Sequence, residues 1–124
     1  MSVSQGHRIV RRGEVYHVAL DPAVGSEQQK TRRCVIVART VPDEYAAKNP
    51  MTVVVPLADA NGRPGNLLHP FVAQGWGGTI KDSRVLCQQV RAVDKSRIVG
   101  EKSGDLSPEI MRLVDDGLRG LLDL

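Results

Sequence analysis

Nine residues in the first third of the chain concentrate side chains that could bind and cleave a phosphate ester. Residues 25–33 hold a carboxylate, two amides, two hydroxyls and three cations. An arginine can hold a phosphate with two hydrogen bonds and keeps its charge at any working pH, whereas serine and glutamine can bind base edges or sugar hydroxyls. Loops are polar by default, so the same residues also fit an ordinary solvated turn. Their chemistry has to be judged together with the elements around them.

The sequence gives little support to other kinds of catalytic site. The three histidines, His7, His17 and His69, lie far apart, and no His, Cys or carboxylate cluster has the spacing of metal ligands. A phosphate loop of the Walker type and a strand–GxGxxG–helix unit are both missing. No nucleophile-elbow motif indicates a Ser-His-Asp site. We therefore expect neither a metal nor an organic cofactor.

Two predicted strands hold the polar residues between them. Residues 14–20 are rich in β-forming side chains and end at Asp21-Pro22. Residues 33–38 form a short apolar run that is typical of a buried strand. Proline, glycine and a polar run predict a loop over 21–31. The candidate phosphate-binding groups are thus expected in a loop that joins two strands.

Further short strands follow, separated by turn-forming sequences. Pro56 cannot donate to a strand ladder, so we expect it at a strand end or edge. Two prolines bound a predicted connection over 41–50, and the glycines at 75–78 predict a corner. The remaining predicted elements are a strand at 51–57, an edge strand at 68–74, a strand at 83–90, and a turn with a short strand at 92–99.

The last element is predicted to be an amphipathic helix. Ser107 suits the N-cap, Pro108 the first helical position, and Glu109 the positive end of the helix dipole. Apolar residues then recur at helical spacing, namely Ile110, Leu113, Val114, Leu118, Leu121 and Leu122. Several short strands and one terminal helix predict a mainly β fold, a small and partly open β-barrel against which the helix packs.

Length and composition fit one small domain in a reducing compartment. The chain has 124 residues, and only 3% are aromatic, so the core must be aliphatic and a platform of several stacked rings is excluded. Cys34 and Cys87 lie in apolar stretches and are expected as buried free thiols. No apolar run reaches the roughly 18 residues of a membrane span, and the N-terminus lacks the apolar core of a secretory signal. These features predict a cytoplasmic protein that has no membrane partner.

The excess of positive over negative charge lies entirely in the first third of the chain. The formal net charge is +3, yet residues 1–40 hold seven Lys and Arg against three acidic residues, while the remainder holds ten against eleven. A local basic surface suits a polyanion such as nucleic acid, although a solvated charged face explains the same composition. Residues 1–9 are polar and show no periodicity, which predicts a flexible N-terminal tail before a single domain at 10–124.

With the elements in place, a resemblance to one family becomes specific. Several segments of this chain resemble the MazF/PemK family of toxin endoribonucleases, and they occur in the family's order. The segments are RGEVY at 12–16, LDPAVGSEQ at 20–28, TR at 31–32 before an apolar strand, VVPL at 54–57, KDSRVL at 81–86, QVRAVDKSR at 89–97 and LSPE at 106–109. The resemblance covers residues 10–124 and is far more specific than a single motif.

The resemblance implies a fold, an activity and partners. It implies an SH3-like β-barrel homodimer that cleaves single-stranded RNA (mRNA) without a metal, by attack of the 2′-hydroxyl on the adjacent phosphate. It also implies a cognate antitoxin, whose disordered C-terminal segment covers the RNA site. The family's catalytic arginine falls on Arg32 and its loop glutamate on Glu27, which form the candidate catalytic pair. The candidate RNA contacts are Ser26, Gln28, Lys30, Thr31, Gln88 and Gln89.

Three positions depart from the family's pattern. Ala58 stands where the family usually has a threonine or serine, Gln88 where an acidic residue is common, and Arg33 where it has a proline. These departures leave open a relative that binds RNA and antitoxin but cleaves weakly or not at all. A small barrel that only binds other proteins is a further alternative. Nearby groups that could supply the missing hydroxyl's function are Asp59, Thr31 and His17.

Overall fold

Seven strands and two α-helices make up the computed structural model, which describes residues 6–22, 24–28 and 30–124 of the chain. The strands are β1 (Glu14–Ala19), β2 (Thr31–Ile36), β3 (Met51–Asp59), β4 (Phe71–Val72), β5 (Ser83–Val85), β6 (Arg91–Asp94) and β7 (Ile98–Asp105). The helices are α1 (Asp43–Ala46) and α2 (Pro108–Leu122). Three short 3₁₀ turns cover Trp76–Gly78, Cys87–Gln89 and Lys95–Arg97.

The sheet is antiparallel and open, and β3 lies at its centre. The strand order is β4-β5-β3-β2-β1-β7, and β6 pairs with β3 outside this order. β3 pairs with three strands along its length. Residues 51–54 pair with β6, residues 54–56 with β2 and residues 57–59 with β5. The predicted mainly β, partly open architecture with a C-terminal helix is confirmed.

Pro56 lies inside β3, so the prediction that it marks a strand end or edge is wrong. It is the residue at which β3 passes from β2 to β5. Its register partner in β2 is Cys34, and its carbonyl accepts the N–H of Leu86 at 2.9 Å. Where a strand passes from one neighbour to the next, one residue does not have to donate its N–H to the ladder. A proline, which has no N–H, is tolerated at that position.

Two aliphatic clusters form the core, and alternate residues of the central strands contribute to each. Val15, Val35 and Val55 belong to the cluster that also contains Val114 of α2. The residues between them point to the opposite face of the sheet. They belong to the second cluster, which includes Tyr16, Val18, Cys34, Ile36 and Val54.

Both cysteines are buried free thiols, as predicted. Cys34 lies in the second cluster and Cys87 in the first, and neither side chain has any exposed surface. Burial raises the pKa of the Cys34 thiol to about 12 and the pKa of the Cys87 thiol to about 11. Since only the thiolate is strongly nucleophilic, both cysteines serve packing in the folded protein.

Helix α2 begins where the sequence predicts. Ser107 is the N-cap, its hydroxyl oxygen accepts the Ile110 N–H at 3.1 Å, and Pro108 occupies the first turn. Gly117 packs so closely that a Cβ at this position would lie 2.6 Å from the Leu67 carbonyl oxygen. Among the described helices, none combines the length and apolar character that a membrane crossing requires.

The predicted strand at 83–90 is correct only for its first three residues, which form β5. The Cys87 N–H donates to the Leu68 carbonyl at 3.1 Å, and the Gln89 N–H donates back to the Leu86 carbonyl at 2.8 Å. The chain therefore curls into a 3₁₀ turn instead of extending. Tertiary contacts of Cys87 outweigh the β-propensity of the segment here.

The other differences concern where elements begin and end. The predicted edge strand at 68–74 shrinks to the two residues of β4, which do lie at the sheet edge. The predicted connection at 41–50 contains the single turn of α1. The segment 92–99 divides into the rest of β6, a 3₁₀ turn and the start of β7, and β7 then continues to Asp105.

The predicted tail at 1–9 lies outside the described residues over 1–5. Of its described residues, His7 and Arg8 donate hydrogen bonds to the body of the protein. The His7 N–H donates to the Ala47 carbonyl at 2.7 Å. The Arg8 guanidinium donates to the Gly100 carbonyl at 2.6 Å and lies 5.6 Å from the centre of the Tyr16 ring.

Candidate nucleic-acid cleft

A cleft of about 390 Å³ opens where β2 begins and β3 ends. The register between the two strands places the first residues of β2 beside the last residues of β3. The polar side chains that line the cleft include His17, Gln28, Thr31, Arg32, Arg33 and Asp59. This volume is within the range of small-molecule sites, so a short piece of a chain-like ligand fits it.

Arg32 and Arg33 bring two cations to this cleft from adjacent positions. Their side chains leave opposite faces of β2, yet both line the cleft because β2 begins at its rim. The Arg32 side chain is exposed, and Thr31 before it is exposed as well. The structure thus places Arg32, an exposed residue, in the lining of an open cavity.

A relay of hydrogen bonds fixes the second cation, Arg33. Its Nε donates to the Ser103 hydroxyl at 3.1 Å, and that hydroxyl donates to the Gly77 carbonyl at 2.7 Å. Arg33 also lies directly across from His17 in the β1–β2 ladder. The Arg33 guanidinium is thus held in one orientation by a group from β7, unlike a flexible surface cation.

The base of the loop between β1 and β2 is held by one arginine of β6 and one of the 3₁₀ turn that follows it. The Arg97 guanidinium donates to the carbonyls of Ala19 and Asp21, at 3.0 and 2.5 Å. The Arg91 guanidinium donates to the Leu20 carbonyl at 3.3 Å. Both arginines belong to the QVRAVDKSR segment, and neither lines the cleft, although Arg91 lines the recess described below.

The tip of the loop is closed by Glu27. Its carboxylate accepts the Val24 N–H at 2.7 Å, and its own N–H donates to the Val24 carbonyl at 3.2 Å. Glu27 does not line the cleft that contains Arg32. It lines a neighbouring recess of about 300 Å³ together with Gln88 and Gln89.

Gln28 connects the cleft and the recess, since it lines both. Its N–H donates to the Gln89 side-chain oxygen at 2.7 Å, and the Gln89 amide nitrogen donates to the Ser26 carbonyl at 3.4 Å. Gln89 therefore ties the loop to the 3₁₀ turn at Cys87–Gln89. Without the turn that interrupts the predicted strand, this contact would not form.

The predicted site residues therefore fall into three groups. Thr31 and Arg32 lie in the cleft, and Gln28 lies between the cleft and the recess. The recess holds Glu27, Gln88 and Gln89. Ser26 is exposed and contributes its carbonyl to the loop. Lys30 is exposed and its N–H donates to the Asp21 carboxylate at 2.9 Å.

Ala58 lies in the cleft with Arg32 and is half-buried. No hydroxyl is therefore present at this position in the wall. Other cleft residues were not found from the sequence, in particular Asn61, Thr79 and Ser83, because they lie 25 or more positions away from Arg32 along the chain. Ser103, which orients Arg33, gave no sequence signal either, since it is 70 residues distant.

The charges in the cleft favour a polyanion. Arg32 and Arg33 face one carboxylate, Asp59, whose Oδ2 lies 3.9 Å from the Lys81 ammonium. Burial and the nearby Arg33 lower the pKa of His17 below its usual value of 6.5, so the imidazole is mainly neutral at pH 7. Within the described residues, no three His, Cys, Asp or Glu side chains are grouped as a metal ion would need.

Comparison with known proteins adds a family match over almost the whole chain. The model of the PemK-like, MazF-like toxins of type II toxin-antitoxin systems matches residues 11–122. Endoribonuclease EndoA of Bacillus subtilis (strain 168) is 31% identical over 112 residues, which cover 90% of this chain and 92% of that protein. Endoribonuclease MazF of Staphylococcus epidermidis is 33% identical over 110 residues, or 89% of this chain and 88% of that protein.

Solved structures share the fold at lower sequence identity. MazF (Form-I) from Deinococcus radiodurans superposes with a TM-score of 0.75 at 19% identity, covering 94% of this chain and 99% of that one. An endoribonuclease in complex with its cognate antitoxin, from Mycobacterial species, gives a TM-score of 0.67 at 20% identity, covering 93% and 96%. These two structures show that the fold is shared, whereas the family model and the two relatives show a relationship in sequence.

Proposed function

The chain belongs to the PemK-like, MazF-like toxin family of type II toxin–antitoxin systems, and we propose that it is an endoribonuclease toxin that cuts single-stranded mRNA. The observation that carries this proposal is the position of Arg32, exposed in an open cleft beside a second, fixed cation. Two guanidinium groups near one cleft suit the phosphate backbone of RNA.

The proposed reaction is a transesterification within the RNA. The 2′-oxygen bonds to the adjacent phosphorus, the bond from phosphorus to the 5′-oxygen breaks, and a 2′,3′-cyclic phosphate and a 5′-hydroxyl result. The 2′-hydroxyl loses a proton and the leaving 5′-oxygen gains one. Arg32 stabilises the negative charge that builds up on the phosphate oxygens, which is typically a large contribution to catalysis. Dependence on the 2′-hydroxyl restricts cleavage to RNA.

Glu27 is proposed to act through the loop. Its carboxylate accepts the Val24 N–H and lies in the recess beside the cleft. In this position it holds the loop in the conformation that lets Gln28 reach both cavities. The recess is lined by one acidic residue, Glu27, one basic residue, Arg91, and three glutamines, and we propose that it holds a base.

Sequence preference is proposed to come from the amides around the recess. Gln28, Gln88 and Gln89 offer both hydrogen-bond donors and acceptors, and Ser26 is exposed at the loop tip. Base edges are read by such groups, whereas phosphate contacts position the strand. Lys30 and Thr31, exposed at the start of β2, are proposed to hold the backbone on either side of the cut.

A cognate antitoxin and a second copy of the chain are the proposed protein partners. The family is defined by toxins that have antitoxins, and we propose that an antitoxin segment covers the basic cleft in the cytoplasm. An exposed apolar surface supports the homodimer, since Leu67, Phe71 and Leu113 line a recess of about 420 Å³. Exposed apolar patches of this kind mark interaction surfaces.

Binding without efficient cleavage is the second candidate function, and Ala58 is the observation that favours it. Its methyl group occupies the cleft wall where a hydroxyl would face the phosphate. One positioned donor is worth about 10²–10³-fold in rate. We favour a weakened enzyme over an inactive one because Arg32 is in place.

The experiment that separates the two functions is incubation of the purified protein with a long unstructured RNA in EDTA. We expect cuts that recur at one short sequence and leave 5′-hydroxyl ends, and we expect no cuts with Arg32→Ala. RNA that is retained at low salt but stays intact would favour the binding protein. If RNA is neither cut nor retained, the proposal is wrong.

A further inference from the structure

The proposed reaction needs a proton acceptor for the 2′-hydroxyl, and two of the described side chains that line the cleft are candidates. They are His17 of β1 and Asp59 at the end of β3. Glu27 does not line the cleft, and its carboxylate already accepts a backbone N–H. The choice is therefore between an imidazole and a carboxylate.

The surroundings of Asp59 make it the poorer acceptor. Its carboxylate is exposed and lies 3.9 Å from the Lys81 ammonium. A carboxylate also carries a negative charge that repels the phosphodiester. A neutral imidazole carries no such repulsion and is a stronger base.

His17 is placed between two strands that leave its ring facing the cleft. It lies across from Arg33 in β2 and from Val99 in β7. The charged groups around the ring are Arg33 opposite it and Arg32 and Asp59 in the same cleft, whereas its neighbour on β7 is uncharged. Within the described residues no hydrogen bond occupies the imidazole, so it can accept one from a ligand.

Arg33 gives His17 a fixed neighbour. The Arg33 Nε donates to the Ser103 hydroxyl, which is itself held by the Gly77 carbonyl. A cation that is held in this way stays close to the ring and disfavours the protonated imidazole. It also offers its remaining N–H groups to a phosphate oxygen.

We propose that His17 is a catalytic residue of this chain, the base that takes the proton of the RNA 2′-hydroxyl, and that Arg33 is its positioning residue. This inference rests on the proposed ribonuclease function. As the 2′-oxygen bonds to phosphorus, its proton moves to the imidazole, and the 5′-oxygen leaves and takes a proton from water in the open cleft. The imidazolium then returns its proton to solvent, so the enzyme ends unchanged.

The direction of the pKa shift agrees with this role. Burial, and secondly the charge of Arg33, lower the pKa of His17 from 6.5. A base must be unprotonated to act, so the cleavage rate should rise with pH through a midpoint below 6.5 and then level off. Neutralising Arg33 removes one of the two causes, so the midpoint should move upwards in Arg33→Gln.

The test compares cleavage rates between pH 5 and 9 in His17→Gln and in a matched control, His69→Gln. His69 is a partly buried histidine whose pKa is also lowered, first by burial and then by Arg84 and Arg63, and it lies outside the cleft. We expect His17→Gln to lose about 10²–10³-fold in rate, together with the rise below pH 6.5. His69→Gln should retain both.

Each outcome decides between the proposals. One outcome refutes the role of His17 while the ribonuclease proposal stands. In this outcome the unchanged protein cuts RNA and Arg32→Ala does not, but His17→Gln keeps the rate and the pH profile of the unchanged protein. If the unchanged protein cuts no RNA, both proposals fail. Equal loss in His17→Gln and His69→Gln would mean that the histidines act through folding, and would also refute the role.

A second measurement is independent of activity. NMR of the histidine ring signals should show His17 titrating below pH 6.5, and its signal should shift when an RNA with a 2′-deoxy group at the mapped cut is added. The His69 signal should not respond to this uncleavable RNA. A His17 signal that ignores the bound RNA would overturn the proposal even if His17→Gln fails to fold.

Discussion

Replacing Gln89 by methionine is expected to loosen the β1–β2 loop, which carries half of the candidate RNA contacts. The Gln89 Oε1 accepts the half-buried Gln28 N–H at 2.7 Å, and its Nε2 donates to the Ser26 carbonyl at 3.4 Å. Only the first bond has a favourable length. One such bond contributes about 1 kcal/mol net, which corresponds to roughly a fivefold change in an equilibrium. The loop should therefore open about five times more often in Gln89→Met.

Hydrogen exchange of the Gln28 amide, followed by NMR, measures this opening directly. We expect exchange about fivefold faster in Gln89→Met. Gln88→Met is the matched control for loop opening, because Gln88 is exposed in the same 3₁₀ turn and makes no hydrogen bond to the described residues of the loop. Unchanged exchange in Gln89→Met, or equal acceleration in Gln88→Met, would refute the role assigned to Gln89.

Two further changes test the cleft and the packing of α2. Ala58→Thr should raise the cleavage rate by about tenfold or more, because it adds a hydroxyl in the cleft. Ala58→Val has the same shape without the hydroxyl and should give no gain in the same assay. Equal rates in the two variants would contradict the view that the missing hydroxyl weakens cleavage. Gly117→Ala should lower the thermal midpoint of unfolding. The new Cβ would lie 2.6 Å from the Leu67 carbonyl oxygen and 2.9 Å from the Cys87 sulfur. Such overpacking outweighs the gain of about 1 kcal/mol in helix propensity. Gly120→Ala should be neutral or stabilising, because its Cβ would meet only the end of the exposed Leu67 side chain at 3.2 Å; equal midpoints for the two alanine variants would show that the close contact at 117 is not limiting.

Local chemistry was sufficient to predict most of the elements. The N-cap of Ser107 and the proline after it marked the start of α2, and the apolar runs marked the strands. The errors arose where a contact between distant residues decides the structure. Pro56 sits inside β3 because the strand changes partners there, and the segment after Val85 curls because Cys87 bonds to Leu68.

The candidate site was predictable only in part for the same reason. The loop composition and the family resemblance led to Arg32 and to the residues around it. The hydrogen-bond partners could not be predicted, because they are far apart in the sequence. Ser103 and Arg33 are separated by 70 positions, and Gln89 and Gln28 by 61. Glu27 lies outside the cleft, where two hydrogen bonds join it to Val24 at the loop tip, and no spacing in the sequence encodes this arrangement.

The most direct test of the account is a pair of measurements on Arg32→Ala at the mapped cleavage site. Single-turnover cleavage at saturating protein reports the chemical step, and binding of the 2′-deoxy analogue reports affinity. We predict that cleavage falls by about 10²-fold or more, while affinity for the analogue falls less than about tenfold, since one of several phosphate contacts is lost. Undiminished cleavage by Arg32→Ala, or a loss that weaker binding explains entirely, would contradict the claim that this guanidinium stabilises the reacting phosphate.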